Sequence, residues 1–580
     1  MPQRAMAMAI AGMLSAGSLA QSNSPTTQEL VGQSRSISAE ETPAAAIGSE
    51  LPTATQGDKV PKLPQRYYVS SIQVTEIRVV GNTLLDQTEL DATLDSYQGR
   101  ELTLEEIQGA ANRATQQYIA AGYINSGVII PDQDASDGII ELQAIEGSLN
   151  DIVVDGNDHL RSSYISKRVD HRIGDNLNVY EVEDTLRLMQ QNRMIERVNA
   201  RVVPGAERGQ SILNLKVTER EPMSVRVGYN NHRSPSVGED QGVFSFAHNS
   251  LTGNGDYLYF NYALTDGVDD ISASYGLPIT ASDLTLETYY SDGESDIVES
   301  PFDELDIVSE IETVGVRAYQ PVVRTLRHDV VVGLGFENTT TKSTLANAPF
   351  SFSPGEELGK SEVSLVRLTG EWTWRRDADA IYSRAAISQG VDWLDATDNS
   401  DVTGPEGNKI EDLPDSDFTA LLIQSSYARA LPWDGVQLLG RLTGQVSSDP
   451  LLSSQRLAVG GARSVRGYRE NQLVRDNGVI ASMEMRVPLF RDEAGNSKYG
   501  LTFAPFVDYG WAEDESIGLP GLDDPEGDDL LSVGAGLLWN WWEPLYVEVY
   551  YGEQLEDIDY DGDTLQEDGI HIQAYFEWHF

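Results

Sequence analysis

Residues 501–510 read LTFAPFVDYG and alternate between apolar and mixed side chains. In a β-strand, successive side chains point to opposite faces of the sheet. One face therefore carries Leu501, Phe503, Pro505, Val507 and Tyr509. The other face carries Thr502, Ala504, Phe506, Asp508 and Gly510. If this strand lies in the wall of a membrane barrel, the second face lines the lumen, and a carboxylate held there requires a cation.

A second motif, GGARSVRGY at residues 460–468, lies in a long segment without a strand pattern. Its Arg466 is always charged and can bind a carboxylate through two parallel hydrogen bonds. Gly461 and Gly467, like the neighbouring Gly460, permit backbone conformations that other residues resist. We therefore predict that this segment folds into the lumen as a loop and that Arg466 pairs with Asp508.

The order and spacing of these two motifs resemble those of the outer-membrane assembly and secretion superfamily. In that superfamily a loop inserted into the barrel lumen carries the arginine motif, which corresponds here to Val465, Arg466, Gly467 and Tyr468. The resemblance implies that Asp508 is the lumen partner of the loop and that Phe506 and Gly510 belong to the strand motif.

The segment from 221 to 580 consists of short alternating stretches separated by Gly, Asp, Asn and Pro. It contains sixteen candidate strands, an even number, as in single-chain bacterial barrels. A sheet that spans lipid must close on itself, because an open edge would leave unpaired amides in hydrocarbon. The predicted strands are 222–231, 241–249, 255–264, 270–276, 282–290, 309–319, 327–338, 362–374, 381–391, 417–427, 435–446, 478–488, 500–510, 530–540, 544–552 and 570–580.

The connections between these strands alternate between short and long, which is typical of short periplasmic turns and long external loops. The short connections include 250–254, 277–281 and 541–543. The long ones include 291–308, 339–361, 392–416, 447–477, 511–529 and 553–569. Arg466 lies in the connection between the eleventh and twelfth predicted strands, which is the sixth external loop. Asp and Glu concentrate in several of the long loops, and we interpret them as a solvated, self-repelling surface.

Residues 71–220 repeat one predicted order of elements, a strand, two helices and two strands. The first copy has strands 71–80, 126–131 and 138–146, and its helices begin with Asp86 and Glu89 and with Thr103 and Glu106. The apolar stripe of its longer helix is Leu104, Ile107, Ala111, Ala114 and Tyr118. The second copy has strands 149–155, 196–203 and 211–219 and helices near 160–170 and 178–192. Such a repeat indicates a modular array.

The first copy resembles the polypeptide-transport-associated (POTRA) domain of two-partner secretion transporters (TpsB) of the hemolysin-activator type. The residues that carry this resemblance are Gly122, Tyr123, Pro131, Gln133, Gly138, Glu146 and Gly147. A small sheet covered by helices on one face leaves a strand edge to which an incoming extended chain can add. The resemblance implies that these domains capture a partner exoprotein in the periplasm.

The N-terminus reads as a secretory signal peptide at residues 1–20, with Arg4, an apolar stretch and a small-x-small cleavage site. Residues 21–68 are rich in Ser, Thr, Gln, Ala and Pro and are predicted to be a flexible linker or a segment that plugs the barrel. The C-terminal Phe580 resembles the signal read by the barrel-assembly machinery, and it also suits a lipid-facing girdle.

Composition excludes several classes of function. The chain has 41 Lys and Arg against 91 Asp and Glu, a formal charge of −50, so no nucleic-acid partner is expected. Its seven histidines show no metal-ligand spacing, and there is no cysteine, nucleophile elbow or phosphate-binding glycine loop. We expect neither an enzyme nor a bound cofactor or metal.

The predicted architecture is therefore α+β periplasmic POTRA domains (69–147 and 148–220) followed by an all-β 16-stranded antiparallel transmembrane barrel (221–580). The predicted function is an outer-membrane translocator of a Gram-negative bacterium that secretes a TpsA-like partner exoprotein. Its further partners would be outer-membrane lipid and the barrel-assembly machinery. The alternatives are an outer-membrane insertase and a passive porin or receptor, which has no need of the Arg466–Asp508 pair.

Overall fold

The computed structural model describes residues 71–403, 409–410, 412–433, 435–491, 500–517, 526–542, 544–556, 558 and 563–580. The predicted signal peptide and the linker or plug segment lie outside these residues. The described chain divides into two compact units, residues 71–220 and residues 221–580. Among the described helices, none is long and apolar enough to cross a membrane.

The first unit contains two α/β modules, each built on a three-stranded sheet. Its elements are β1 Ile72–Val74, β2 Glu76–Val80, α1 Gln87–Ala92, β3 Arg100–Leu102, α2 Leu104–Ala120, β4 Gly127–Ile129, β5 Ile139–Ile145, β6 Ser148–Asp155, α3 Ser162–Ile173, α4 Val179–Met189, β7 Ile195–Pro204 and β8 Gln210–Glu219. The sheets have the orders β2–β5–β4 and β6–β8–β7, with β2–β5 and β6–β8 parallel. The same topology occurs in both modules, as an internal repeat predicts.

The first predicted strand, 71–80, is in fact two strands. Thr75 separates them, and its backbone N–H donates to Gly138 O at 2.7 Å. Before this point β1 pairs with the short strand β3, from Ile72 opposite Leu102. The sequence pattern did not reveal β3, because three residues of which two are charged show no alternation.

Helix α2 begins with the predicted capping box. The Thr103 side chain accepts from Glu106 N, and the Glu106 carboxylate accepts from Thr103 N at 2.8 Å. That backbone hydrogen bond holds the pKa of Glu106 below its usual value. The predicted apolar stripe is buried except for Leu104, which is 63% exposed because it occupies the first helical position, at the open end of the helix.

A carboxylate holds the same place in each module. Glu146 follows β5 and accepts from Thr83 N at 2.6 Å and Leu84 N at 2.9 Å. Glu219 ends β8 and accepts from His159 N at 2.7 Å and Leu160 N at 2.9 Å. Both carboxylates accept hydrogen bonds from backbone N–H groups in the turn before the first helix of their module. These N–H groups lie outside the β-sheet and so do not bond to a neighbouring strand.

Replacement of Glu146 by alanine is expected to destabilise the first module. The turn would lose its acceptor for two backbone N–H groups, and the Tyr118 hydroxyl would lose its contact with Glu146 at 3.3 Å. Hydrogen bonds to a charged group contribute about 1.5–3 kcal/mol each, so the loss of two of them in Glu146→Ala should lower the free energy of unfolding by at least about 3 kcal/mol. Urea unfolding of a soluble 71–220 fragment measures this, with the exposed Glu141→Ala as the control. Equal urea midpoints for Glu146→Ala and Glu141→Ala would contradict the stabilising role of Glu146.

The second unit contains nineteen strands within the described residues. They are β9 Met223–Asn230, β10 Gln241–Asn249, β11 Tyr257–Leu264, β12 Val268–Pro278, β13 Thr285–Asp296, β14 Ile307–Arg324, β15 His328–Leu345, β16 Ala348–Pro349, β17 Lys360–Arg376, β18 Asp379–Gly390, β19 Thr419–Ala430, β20 Gln437–Ser447, β21 Leu457–Val459, β22 Leu473–Arg475, β23 Asn477–Arg491, β24 Gly500–Glu513, β25 Asp528–Trp542, β26 Leu545–Gln554 and β27 Ile570–His579.

Sixteen of the described strands form a closed antiparallel barrel, as predicted. The ring closes where β27 pairs with β9, and Phe580 and Met223 exchange two backbone hydrogen bonds at 3.0 and 3.1 Å. The remaining three, β16, β21 and β22, lie in connections between wall strands. On β24 the outward Val507 is 41% exposed, whereas Asp508 on the lumen face is fully buried. The alternation read from the sequence therefore sorts the two faces correctly.

Several strands are longer than predicted. β14 and β15 have 18 residues each, whereas about 9–11 residues span a bilayer. Their ends carry exposed charged pairs such as Glu310 with Lys342, which could not face hydrocarbon. These ends therefore extend beyond the membrane. The predicted strand 309–319 already contained Glu310, whereas residues 339–345 of β15 were predicted as part of a loop, because strand residues above the lipid need no apolar face.

Candidate functional site

The site is built around the connection between β20 and β23, residues 448–476, which we call loop 6. Its predicted lack of strands is wrong, because β21 and β22 pair as a short antiparallel hairpin. Three-residue strands are too short to show alternation. Val459, Val465 and Tyr468 are fully buried against lumen-facing residues of the wall, so the loop lies inside the barrel.

A glycine turn shapes the tip of the hairpin. Gly460, Gly461 and Gly467 have φ values of 109°, 102° and 98°, in the region that favours glycine. Gly460 N donates to Ser464 Oγ at 2.8 Å, and Gly461 N donates to Val465 O at 3.1 Å. The turn directs the side chain of Arg466 toward the wall.

Arg466 binds Asp508 through three hydrogen bonds. Its Nε donates to Asp508 Oδ2 at 2.7 Å and its Nη2 to Oδ1 at 2.9 Å, a bidentate pair, and its backbone N–H donates to Oδ2 at 3.1 Å. Arg466 is 1% exposed and Asp508 is fully buried. The carboxylate thus holds both the side chain and the backbone of loop 6.

A second carboxylate completes the network. Arg466 Nη1 donates to Glu484 on β23, and Nη2 donates to Ser482 Oγ at 3.2 Å. Glu484 also accepts from Arg486 Nε at 2.8 Å and from the Tyr550 hydroxyl at 3.2 Å. Two arginines and two carboxylates therefore alternate, so each buried charge contacts one of opposite sign, as burial requires.

Two aromatic rings enclose the guanidinium. Arg466 Cζ lies 3.6 Å from the ring centroid of Phe506 and 4.7 Å from that of Tyr550. A cation over a ring face is attracted by the ring quadrupole, and the attraction is larger away from water. The Phe506 of the strand motif is therefore a direct contact of Arg466.

Two glycines in the wall strands leave space into which loop 6 packs. A Cβ on Gly510 would meet side-chain atoms of Val459 and, at 2.8 Å, of Val465. A Cβ on Gly552 of β26 would lie 2.8 Å from the backbone of Arg466 and from Gly467 Cα. The loop therefore packs against the wall through valine side chains at Gly510 and through its backbone at Gly552.

Hydrogen bonds with residues of β25, β26 and β27 hold Gly467 and Tyr468, the remainder of the motif. Gly467 N donates to His571 Nε2 at 3.1 Å, and Gln554 Nε2 donates to Gly467 O at 2.6 Å. The Tyr468 hydroxyl donates to Leu531 O at 2.9 Å. We refer to the wall residues that contact the Arg466 motif as the loop 6 seat: Ser482, Glu484, Phe506, Asp508, Gly510, Tyr550, Gly552, Gln554 and His571.

The glycines of the POTRA motif lie in the first unit, two of them where its modules meet. Gly122 has φ 96°, its carbonyl accepts from Val179 N at 3.0 Å, and an added Cβ would lie 2.7 Å from the Tyr180 ring. Gly147 packs against the side chain of Asn125, whose Nδ2 donates to Ser211 Oγ at 3.1 Å. These contacts join the two modules.

The other members of the motif shape the first module itself. The Gln133 side chain forms two hydrogen bonds with the backbone of Glu141, at 2.7 and 2.8 Å, beside the end of β4. Pro131 comes two residues after β4 and, lacking an N–H, cannot extend it. Gly138 has φ 79°, and Tyr123 packs on the module core. Each thus has an identifiable packing or hydrogen-bonding role.

The site also contains Glu484, Tyr550, Gly552 and His571, which were not predicted from the sequence. On the predicted strand 478–488, alternation puts Glu484 on the same face as Ser482, but nothing in the pattern links it to Arg466. Gly552 had a usable signal, because a glycine inside a strand often marks the close approach of another backbone. The described residues contain no group of three or more metal-ligating side chains suited to an ion.

Comparisons with known proteins agree with this architecture. Residues 209–537 match the model of the family described as haemolysin secretion/activation protein ShlB/FhaC/HecB, and residues 72–147 match the POTRA domain of the ShlB type. The outer membrane transporter CdiB of Dickeya dadantii is 26% identical over 406 residues, 68% of each chain. The heme/hemopexin transporter protein HuxB of Haemophilus influenzae is 22% identical over 522 residues, 85% of each chain.

Solved structures show the same fold. CdiB from Escherichia coli has a TM-score of 0.69 at 19% identity and covers 98% of both chains. BamA from Haemophilus ducreyi lacking POTRA domains 1–3 has a TM-score of 0.50 at 15% identity, covering 88% of this chain and all of that one. The family match spans more than half of the 580 residues. The chain therefore belongs to the haemolysin secretion/activation family ShlB/FhaC/HecB, a family of two-partner secretion transporters of the outer membrane.

Proposed function

We propose that this chain secretes a large partner exoprotein, captured in the periplasm by residues 71–220 and conducted outward through the barrel. The buried contact of Arg466 with Asp508 carries the proposal. A passive pore gains nothing from a loop anchored in its lumen by a desolvated ion pair. A buried pair of this kind is a weak stabiliser but serves well as a registry or switch element.

The first unit offers edges for capture of an extended chain. In each sheet the two outer strands pair on one side only, and the longest of them, β7, has ten residues. Unpaired backbone groups on such an edge can bind an incoming strand with little demand on its side chains. This suits a partner that arrives unfolded.

The lumen wall suits passage of a polar backbone. On β13 to β17, opposite charges are paired across strands: Arg317 binds Glu287 at 2.8 and 3.1 Å, and Arg367 contacts Glu337 at 3.3 Å. Tyr289 also donates to Glu337, at 2.6 Å. Because these charged side chains are already paired with one another, the lumen surface is polar but does not present a row of unpaired charges that would bind and retain the exported chain.

Phe580 remains our candidate for the signal read by the barrel-assembly machinery. Its backbone closes the ring against Met223 while its side chain is 49% exposed on the outer face. The last strand is thus complete in the closed barrel, and an aromatic ring stays available at the membrane border.

The test is secretion of a reporter in a surrogate Gram-negative host. The reporter is the N-terminal secretion domain of a large exoprotein encoded beside this chain, expressed with the full chain, with a chain lacking 71–220, and alone. We expect reporter outside the cell only with the full chain, while both forms insert a heat-modifiable barrel. Reporter that stays in the periplasm beside an inserted full-length barrel would contradict the proposal.

A further inference from the structure

A groove of about 470 Å³ crosses the outer, lipid-facing surface of the barrel from β18 to β24. Its sides are formed by Ile381, Tyr427, Leu442, Met483, Val507 and Tyr509. Leu442 and Met483 are 47% and 54% exposed, whereas their neighbours Arg441 and Ser482 turn into the lumen. The volume lies within the range of roughly 300–1,000 Å³ that holds small molecules. We call this feature the outer groove.

Small residues make the groove. Gly440 lies between Tyr427 on β19 and Met483 on β23, and Ala481 lies beside Leu442 in the next row. A Cβ on Gly440 would meet no atom closer than 3.9 Å. The backbone therefore does not require glycine at this position, and the missing side chain leaves space that hydrocarbon can enter.

One end of the groove carries a pair of opposite charges. Asp379 and Arg429 are paired in register, two residues beyond Ile381 and Tyr427 toward the short turn that contains Trp433. The Tyr427 hydroxyl donates to Asp379 Oδ1 at 2.7 Å, while Arg429 Nε lies 3.8 Å from the same oxygen and its side chain is 53% exposed. An exposed tryptophan beside these charges is typical of the membrane–water border.

We propose that the outer groove binds a zwitterionic phospholipid of the phosphatidylethanolamine type from the periplasmic leaflet. One acyl chain lies in the groove along Gly440. The phosphate binds Arg429, whose guanidinium suits phosphate oxygens, and the ammonium binds Asp379. The charge pair selects this occupant, because an anionic headgroup without an ammonium would leave Asp379 facing a negative charge.

The position of the site gives it functional interest. Met483 lies between Ser482 and Glu484 on β23, and Val507 precedes Asp508 on β24. The strands that hold Arg466 on their lumen face therefore form part of the outer groove on their lipid face. A bound lipid would pack directly behind the loop 6 seat.

The test compares lipids retained by the full-length protein after reconstitution into vesicles of equal phosphatidylethanolamine and phosphatidylglycerol. The protein is released in mild detergent and examined by native mass spectrometry. Gly440→Leu fills the groove, and Gly370→Leu is the matched control, because Gly370 is also lipid-facing and an added Cβ there meets nothing within 4 Å. Arg429→Gln removes the phosphate ligand, and it carries the test if Gly440→Leu does not insert.

We expect wild type and Gly370→Leu to retain about five times more phosphatidylethanolamine than phosphatidylglycerol. Gly440→Leu should retain about ten times less lipid than the wild type. Arg429→Gln should lose the preference between the two lipids. Equal retention by Gly440→Leu and Gly370→Leu would overturn the proposal. So would a preference of the wild type for phosphatidylglycerol, or a groove occupied by a second copy of the chain and seen as lipid-free dimers.

Discussion

Arg466→Ala is expected to lower secretion strongly while leaving an inserted barrel. The substitution removes the three-point contact with Asp508 and leaves Asp508 buried without that cation. Breaking one partner of a buried pair costs about 3–5 kcal/mol, which shifts the seated fraction of loop 6 by more than about a hundredfold. The wall keeps its strand ladder, because the Arg466 side chain takes no part in it. Export of the reporter should therefore fall by at least about tenfold.

Proteolysis separates an unseated loop from an unfolded barrel. Trypsin cleaves after arginine, and loop 6 retains Arg463 and Arg469 in the variant. We expect cleavage in loop 6 of Arg466→Ala and protection in the wild type. The control is Lys342→Ala, which removes an exposed ion pair with Glu310 outside the lumen and should leave both protection and export unchanged. Wild-type export by a cleaved Arg466→Ala protein would refute the role of the pair.

The fold was largely predictable from the sequence, and the errors have a common cause. Wherever one face of a strand meets lipid and the other meets water, alternation locates the strand, as in β24. The prediction failed where that asymmetry is missing. Residues 339–345 of β15 rise above the hydrocarbon, and β3, β21 and β22 are too short to alternate.

The site was predictable in part, because only the two motifs have a sequence signal of their own. Arg466 and Asp508 were identified from those motifs. Glu484, Tyr550 and His571 belong to three different strands and reach the loop because the closed sheet curves around it. No local pattern encodes that closure, and polar residues on a lumen face are too common to single out.

Gly552→Val is expected to unseat loop 6 without weakening the wall. Gly552 does not occupy the left-handed backbone region, so β26 itself tolerates a side chain there, and valine favours strands. The new Cβ would lie 2.8 Å from the carbonyl group of Arg466 and from Gly467 Cα. These are backbone atoms that cannot rotate away, so the loop must move from the seat even though Arg466 and Asp508 are intact.

This substitution tests whether secretion depends on the position of the loop or on the charges alone. If position matters, Gly552→Val should resemble Arg466→Ala in tryptic cleavage of loop 6 and in loss of export. The double variant should then be little worse than either single one, because both act on one contact and their effects are not additive. Gly370→Val, on the lipid face, is the control for placing valine at a wall glycine. If Gly552→Val exports fully although its loop 6 is cleaved, the charges of Arg466 and Asp508 support secretion without the seated position of the loop. The backbone contact at Gly552 would then be a packing contact with no role in secretion.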